Sequence, residues 1–211
     1  NAIVEVYVDD VLKETFNDIV LIDPSDSKTG TVSFPYTFTL PGQETSESFT
    51  VRAEIKGYYT GSEQTVINIY EPTGDFITGG GYIIPDNSAG TYASTDGLKT
   101  NFGFNVKYNK KGNKVKGHMN IIFRRLENDG LHIYQVKGNA MESLGIILSD
   151  DGDPQEDFAQ FITKANLMDI TDPLNPISLG GNLILKVDMT DRGEPGVDDS
   201  IAINLTDGGV L

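Results

Sequence analysis

Apolar and polar residues alternate with a period of two through residues 1–71, in runs too short for helices. That period marks half-buried strands, because successive side chains of a strand point to opposite faces. Residues 3–8 form one such run and residues 19–22 another. Residues 32–40 place Phe34, Tyr36, Phe38 and Leu40 on a single face, and residues 48–55 do the same with Phe49, Val51, Ala53 and Ile55. Residues 66–70 close the set. Between the runs lie Asp9-Asp10, Asp23-Pro24-Ser25-Asp26, Thr29-Gly30 and Pro41-Gly42, residues that favour tight turns. The pattern predicts an Ig-like β-sandwich of about six strands over residues 1–71, short of the ~100 residues of a complete Ig domain. Its first strand is expected upstream of Asn1 or from a neighbouring molecule.

Pro72-Thr73-Gly74-Asp75 interrupts the alternation and sets a boundary, with a second unit over residues 72–211. Strands are predicted there at 76–85, 101–108, 115–125, 131–137, 141–148, 161–170, 183–189 and 201–205. In the second of these, Phe102, Phe104, Val106 and Tyr108 share a face. Residues 86–97 form a loop of small residues, and Lys110-Lys111-Gly112-Asn113 is a turn. The strands at 115–125 and 131–137 make a hairpin around Glu127-Asn128-Asp129-Gly130, where the Asp-Gly pair supplies the positive φ. No segment holds a helical period. The fold class is therefore all-β: an Ig-like β-sandwich followed by a second antiparallel β-sandwich or flattened barrel of roughly eight or more strands.

Six motifs of the second unit, in order, resemble a known family. They are Phe76-Ile77-Thr78-Gly79-Gly80-Gly81-Tyr82, Asn101-Phe102-Gly103-Phe104, Val106-Lys107-Tyr108, His132-Ile133-Tyr134-Gln135-Val136-Lys137-Gly138-Asn139, Asp169-Ile170-Thr171-Asp172-Pro173 and Thr190-Asp191-Arg192-Gly193-Glu194-Pro195-Gly196. Together they look like the post-COAP domain, and Gly57-Tyr58-Tyr59-Thr60-Gly61-Ser62 is similar to the end of the Ig-like domain that often precedes it. The resemblance implies a place near the C-terminus of a large exported bacterial or archaeal protein, secreted or on the cell surface. It implies a further strand beyond Leu211 and carries over no catalytic residue or ligand.

Charge narrows the partners. Of 211 residues, 31 are acidic and 16 basic, a formal charge of −15 spread along the chain. Nucleic acid is not an expected partner, since a polyanion needs a basic stripe; a dispersed acidic surface favours solubility and weak attraction for divalent cations. The chain has no cysteine, which removes disulfides and thiolate metal sites. It has no run of ~18 apolar residues for a membrane span and no signal-peptide start. Asn1 in place of methionine reads as a processed product or an excerpt.

Candidate chemistry is sparse. Gly79-Gly80-Gly81 is followed by the strand-like Tyr82-Ile83-Ile84 instead of a helix, so a bulge or close backbone approach is expected in place of a phosphate loop. His118 and His132 fall on the predicted hairpin and could face each other across the ladder, but no third metal ligand is evident. There is no Gly-x-Ser-x-Gly elbow. Asp150, Asp151, Asp153, Glu156 and Asp157 form the densest acidic cluster; Asp191, Glu194, Asp198 and Asp199 form a second. Both are candidate calcium loops, although neither fits an EF-hand, and a glycosidase carboxylate pair among them is not readable from spacing. Lys107, Lys110, Lys111, Lys114 and Lys116 make the one basic run. Asn204-Leu205-Thr206 is the one N-glycosylation pattern. The expectation is a non-catalytic structural, spacer or adhesive module. Its partners would be other domains of the same surface protein, or neighbouring copies by strand addition in a filament or envelope assembly. The alternative is a carbohydrate-binding accessory module for envelope polysaccharide, with Tyr58, Tyr59, Tyr82 and Tyr92 as its platform.

Overall fold

The computed structural model describes residues 2–22, 25, 28–42, 46–70, 76–147, 157–193 and 197–207, and every regular element among them is a β-strand. The first six are β1 (Ala2–Val8), β2 (Val11–Phe16), β3 (Val20–Leu21), β4 (Gly30–Thr31), β5 (Ser46–Gly57) and β6 (Gly61–Tyr70). The remaining seven are β7 (Phe76–Ile83), β8 (Thr100–Tyr108), β9 (Val115–Glu127), β10 (Gly130–Ile147), β11 (Asp157–Asp169), β12 (Ile177–Asp191) and β13 (Ser200–Thr206). The expected all-β class holds. The boundary motif at residues 72–75 lies outside the described residues, but β6 and β7 on either side of it belong to different sheets.

The N-terminal sheet has the order β2-β1-β5-β6, with β3 and β4 as a separate pair. Asp9 and Asp10 join β1 to β2 with φ of 47° and 61°, the left-handed pair that matches the twist of a two-residue hairpin. Asp9 Oδ1 also accepts the Thr50 amide at 2.9 Å. On one face Val6 and Val8 are buried opposite Ala53 and Val51. A file of rings, Phe16, Phe34, Tyr36, Phe38 and Phe49, runs beside the sheet with successive centroids 4.8–6.2 Å apart. Three of those rings come from residues 32–40, predicted as a strand. The segment joins no ladder; Pro35 in its middle lacks the amide a ladder needs, and aromatic contact holds it instead. β2 was not predicted, because Val11 and Leu12 are consecutive, exposed and outside any alternation.

The C-terminal sheet is an antiparallel meander, β13-β12-β11-β10-β9-β8-β7, curled into a half-barrel. Among the described residues it has seven strands where roughly eight or more were expected. The reason is β10: the two runs predicted at 131–137 and 141–148 are one strand with register shifts at Gly138/Ala140 and Met141/Ser143. Such extra residues bend a strand without ending it. At the β9–β10 turn the positive φ falls on Gly130 (141°) alone, and Asp129 keeps an ordinary backbone. The concave face carries the main core, including Phe104, Val106, Met119, Ile121, Phe123, Val136, Phe161, Leu167, Leu185 and Val187. The glycine triplet of β7 pairs continuously with β8. A Cβ at Gly79 would meet the Phe104 ring at 2.6 Å, so the close-approach expectation is met, without a bulge.

Candidate functional site

Three features outside regular packing are candidates for function: a polar seam between the two sheets, a cavity on the concave face, and a cluster of ionisable groups at the β9–β10 turn.

The seam forms because β8, β9 and β10 alternate apolar residues inward with mainly polar residues outward, Ile122 excepted, and the outward row of β8 and β9 packs under β5 and β6. Asn101, Asn105, Lys107, Asn120, Arg124 and Gln135 are buried there, against Thr50, Arg52 and Gln64. At its centre Asn120 Nδ2 donates to Thr50 Oγ1 at 3.0 Å, and Gln135 Nε2 donates to Thr50 Oγ1 at 3.2 Å and to Asn120 Oδ1 at 3.1 Å. At one end Arg124 Nη1 donates to the Lys99 carbonyl and Asn101 Oδ1 at 2.8 and 3.0 Å. Glu63 lies 3.4 Å from both Arg124 and Lys99. Arg52, 4% exposed, sits over the Tyr7 ring at 4.0 Å and pairs with Glu54 at 3.0 Å. The bonds of Asn120 and Gln135 to Thr50 and the ion pairs of Arg124 and Lys99 with Glu63 cross from one sheet to the other, whereas Arg52 Nε and Asn105 Nδ2 are buried without a hydrogen-bond partner.

The cavity, about 910 Å³, opens where residues 85–94 pass over the mouth of the half-barrel. Ile121, Phe123, Val136, Leu167 and Leu185 floor it; Ile201, Ile203 and Leu205 of β13 form one wall. The overlying loop is fastened to β9. Thr95 accepts the Leu126 amide at 2.8 Å and donates to the Arg124 carbonyl at 3.0 Å, Arg125 donates to the Thr91 carbonyl, and Tyr92 meets Tyr134 edge-on at 5.7 Å.

At the turn, His132 is held between two carboxylates. Its Nδ1 lies 2.7 Å from Asp169 Oδ2, and its Nε2 lies 3.1 Å from Asp129 Oδ1. The ring stacks on Tyr134 at 6.0 Å. Glu127 accepts from the Tyr134 hydroxyl and pairs with Arg125 at 3.3 Å. The bond to Asp169 raises the His132 pKa above its usual value; desolvation opposes it, and the lesser bond to Asp129 adds to the rise. Asp169 is lowered: burial pushes it up, but the bonds from Thr171 and His132 together outweigh that. Burial, and then the bond to Glu127, raises the Tyr134 phenol. A catalytic triad is not formed here, since Nε2 faces a carboxylate and not a hydroxyl.

The residues singled out by sequence are distributed differently. His118 and His132 do not face each other: His118 pairs with Asn105 of β8 and His132 with Arg125 of β9. His118 shares the outward row of Asn120, while His132 shares the inward row of Tyr134, so the sheet separates them. Asp150, Asp151, Asp153, Glu156 and Glu194 lie outside the described residues. Asp157 stands opposite Asp191 across β11 and β12. Asp191 and Asp199 accept the amides of Gly193 and Arg192, each at 2.9 Å, which fixes them as loop caps. Asp198 is exposed beside them. Among the described residues the one group of three metal-ligating side chains that converges is Glu127, Asp129 and His132. Sequence reasoning missed it because Asp129 was read as a turn residue and Glu127 as its flank. The signal was present in the spacing Glu127-x-Asp129-x-x-His132 across a tight turn.

Lys107 is buried in the seam, and Lys110, Lys111 and Lys114 occupy the turn beyond it, with Lys116 exposed opposite Lys107. Asn204 is exposed in the middle of β13, opposite Lys186. The four tyrosines do not make a flat platform. Tyr58 and Tyr59 are 85% and 56% exposed, but their rings stand at 86° to each other. The Tyr82 ring is covered by Lys99 at 4.6 Å, and Tyr92 leans on Tyr134. No helix among the described residues is long and apolar enough to cross a membrane. No family model, no curated protein and no solved structure matches the chain.

Proposed function

We propose that this chain is a non-catalytic, rigid spacer of a secreted or cell-surface protein, in which an Ig-like module and a post-COAP-like module act as one body. The observation that carries this reading is the seam around Thr50. At its centre Thr50 is paired with Asn120 and Gln135 across the two sheets, and such a buried polar contact favours one orientation because a rotation would leave these groups unpaired. A spacer that transmits position or load needs that property. The acidic surface suits an exposed, soluble exterior module.

Neighbouring copies or domains would join by strand addition. The outer edges of β2 and β13 pair with no described strand, and an open edge is a template for another chain. The test is backbone amide relaxation by NMR on the intact chain. One rotational correlation time for both sheets supports the rigid spacer, and two different times would overturn it. Light scattering against concentration on the same sample reads the strand-addition part, with growth into long particles as the expected result.

A further inference from the structure

We propose that the tip of the β9–β10 hairpin is a site for a divalent transition-metal ion of the zinc class, with Glu127, Asp129 and His132 as ligands and Asp169 orienting the imidazole. This goes beyond the spacer reading and does not rest on it. One ligand atom from each of the three side chains lies within 4.8 Å of the other two. Zinc takes nitrogen at about 2.0–2.1 Å and carboxylate oxygen at about 2.0–2.2 Å, which places tetrahedral ligands roughly 3.4 Å apart. Closing the group onto an ion therefore requires movement of about an ångström. Asp129 is 76% exposed on a two-residue turn and is free to supply that movement.

The other groups are already held. Asp169 lies 2.7 Å from Nδ1, so an N–H there donates to it and leaves the Nε2 lone pair facing Asp129; a carboxylate behind the ring is the usual support of a metal-bound histidine. Stacking on Tyr134 fixes the plane of the ring. The Tyr134 hydroxyl and Arg125 hold one oxygen of Glu127, and a carboxylate has a second to offer. An imidazole with two carboxylates selects zinc-class ions over calcium, which takes six to eight oxygens. With three protein ligands, the fourth position faces solvent and would take water or a group from a partner.

The experiment is calorimetric titration of zinc chloride into the intact, chelator-stripped chain at neutral pH, with calcium chloride as a parallel titrant and ring ¹⁵N NMR as a second readout. The expected result is one saturable zinc site, a shift of the His132 Nε2 resonance on saturation, and no matching calcium site. D129N changes an exposed side chain and keeps the fold; it should weaken zinc at least tenfold. D169N touches no metal and should weaken it by about 10- to 100-fold, while H118Q should leave it unchanged. Absence of saturable zinc uptake, uptake equal in D129N, or a His118 resonance that shifts in place of His132 would overturn the proposal.

Discussion

The two faces of β8, β9 and β10 are built from the same strands and both hold deeply buried residues, yet one is apolar and the other, Ile122 excepted, is polar at its buried positions. Inward, Val106, Met119, Ile121 and Val136 are 1–3% exposed. Outward, Asn105, Asn120 and Gln135 are 1–7% exposed. Burial alone therefore does not identify a core. The inward face gains from area removed from water and tolerates changes that keep volume. The outward face gains little net energy per bond, about 0.5–1.5 kcal/mol, but loses heavily when one partner is removed. One face supplies most of the stability; the other, on the reading above, supplies a defined direction.

The largest expected effect tests the inward face. Phe161 is fully buried and meets Phe104 at 5.7 Å between ring centroids. Phe161→Ala should lower unfolding stability by about 3–5 kcal/mol in urea titration. A loss below about 1 kcal/mol would mean that the concave core collapses around the gap and is not closely packed.

The seam predicts an asymmetry the inward face does not. Asn120→Ala strips a partner from both Thr50 and Gln135 and should cost about 1–3 kcal/mol, the penalty for buried groups left unpaired. Replacing all three at once, as T50V/N120L/Q135M, should recover most of that loss, because none of the three then leaves a partner unpaired. The triple variant should nonetheless lose the common correlation time of the two sheets. If it stays rigid, shape complementarity and not polar matching sets the orientation, and the contrast between the faces fails on this point.

Part of that contrast was legible in the sequence. The inward row Phe102, Phe104, Val106 and Tyr108 follows from alternation alone, as do the positions of most strands in the second unit. The outward row was not read as buried, because Asn105, Asn120 and Gln135 look like ordinary solvent-facing residues until a second sheet is laid over them. Burial by a partner that lies far along the chain leaves no periodic trace. The same limit hid the support behind the turn cluster: Asp169 is 37 residues from His132, and only the sheet register brings it behind the ring. Conversely, Phe34, Tyr36 and Phe38 alternate like a strand and are apolar like one, but Pro35 settles the backbone differently. Periodicity reports which side chains share a face, and the available amides decide whether a ladder forms.

A further variant probes how tightly the inward face is fitted. A Cβ at Gly138 would stand 2.5 Å from Thr163 Cγ2 and 3.4 Å from Leu185 Cδ2, and Thr163 is fully buried. Gly138→Ala should therefore destabilise by about 1–3 kcal/mol through overpacking. Thr163→Ser removes the clashing methyl, so the double variant G138A/T163S should be more stable than the sum of the two single losses predicts. Simple additivity would show that the strand shifts as a unit and that the fit at this point is loose.

The smallest effect separates the edge of the seam from its centre. Glu63 is 58% exposed and lies 3.4 Å from both Lys99 and Arg124, so its charge pairs are largely solvated. Glu63→Gln should change stability by less than about 1 kcal/mol at low ionic strength. The difference should vanish near 1 M salt, where charges are screened beyond about 3 Å. Asn120→Ala should show little salt dependence, since it removes neutral hydrogen bonds. Urea titrations of both variants at low and high salt make the comparison directly. A Glu63→Gln loss as large as that of Asn120→Ala, and insensitive to salt, would place the binding energy between the sheets at the rim and leave the Thr50 network as filler.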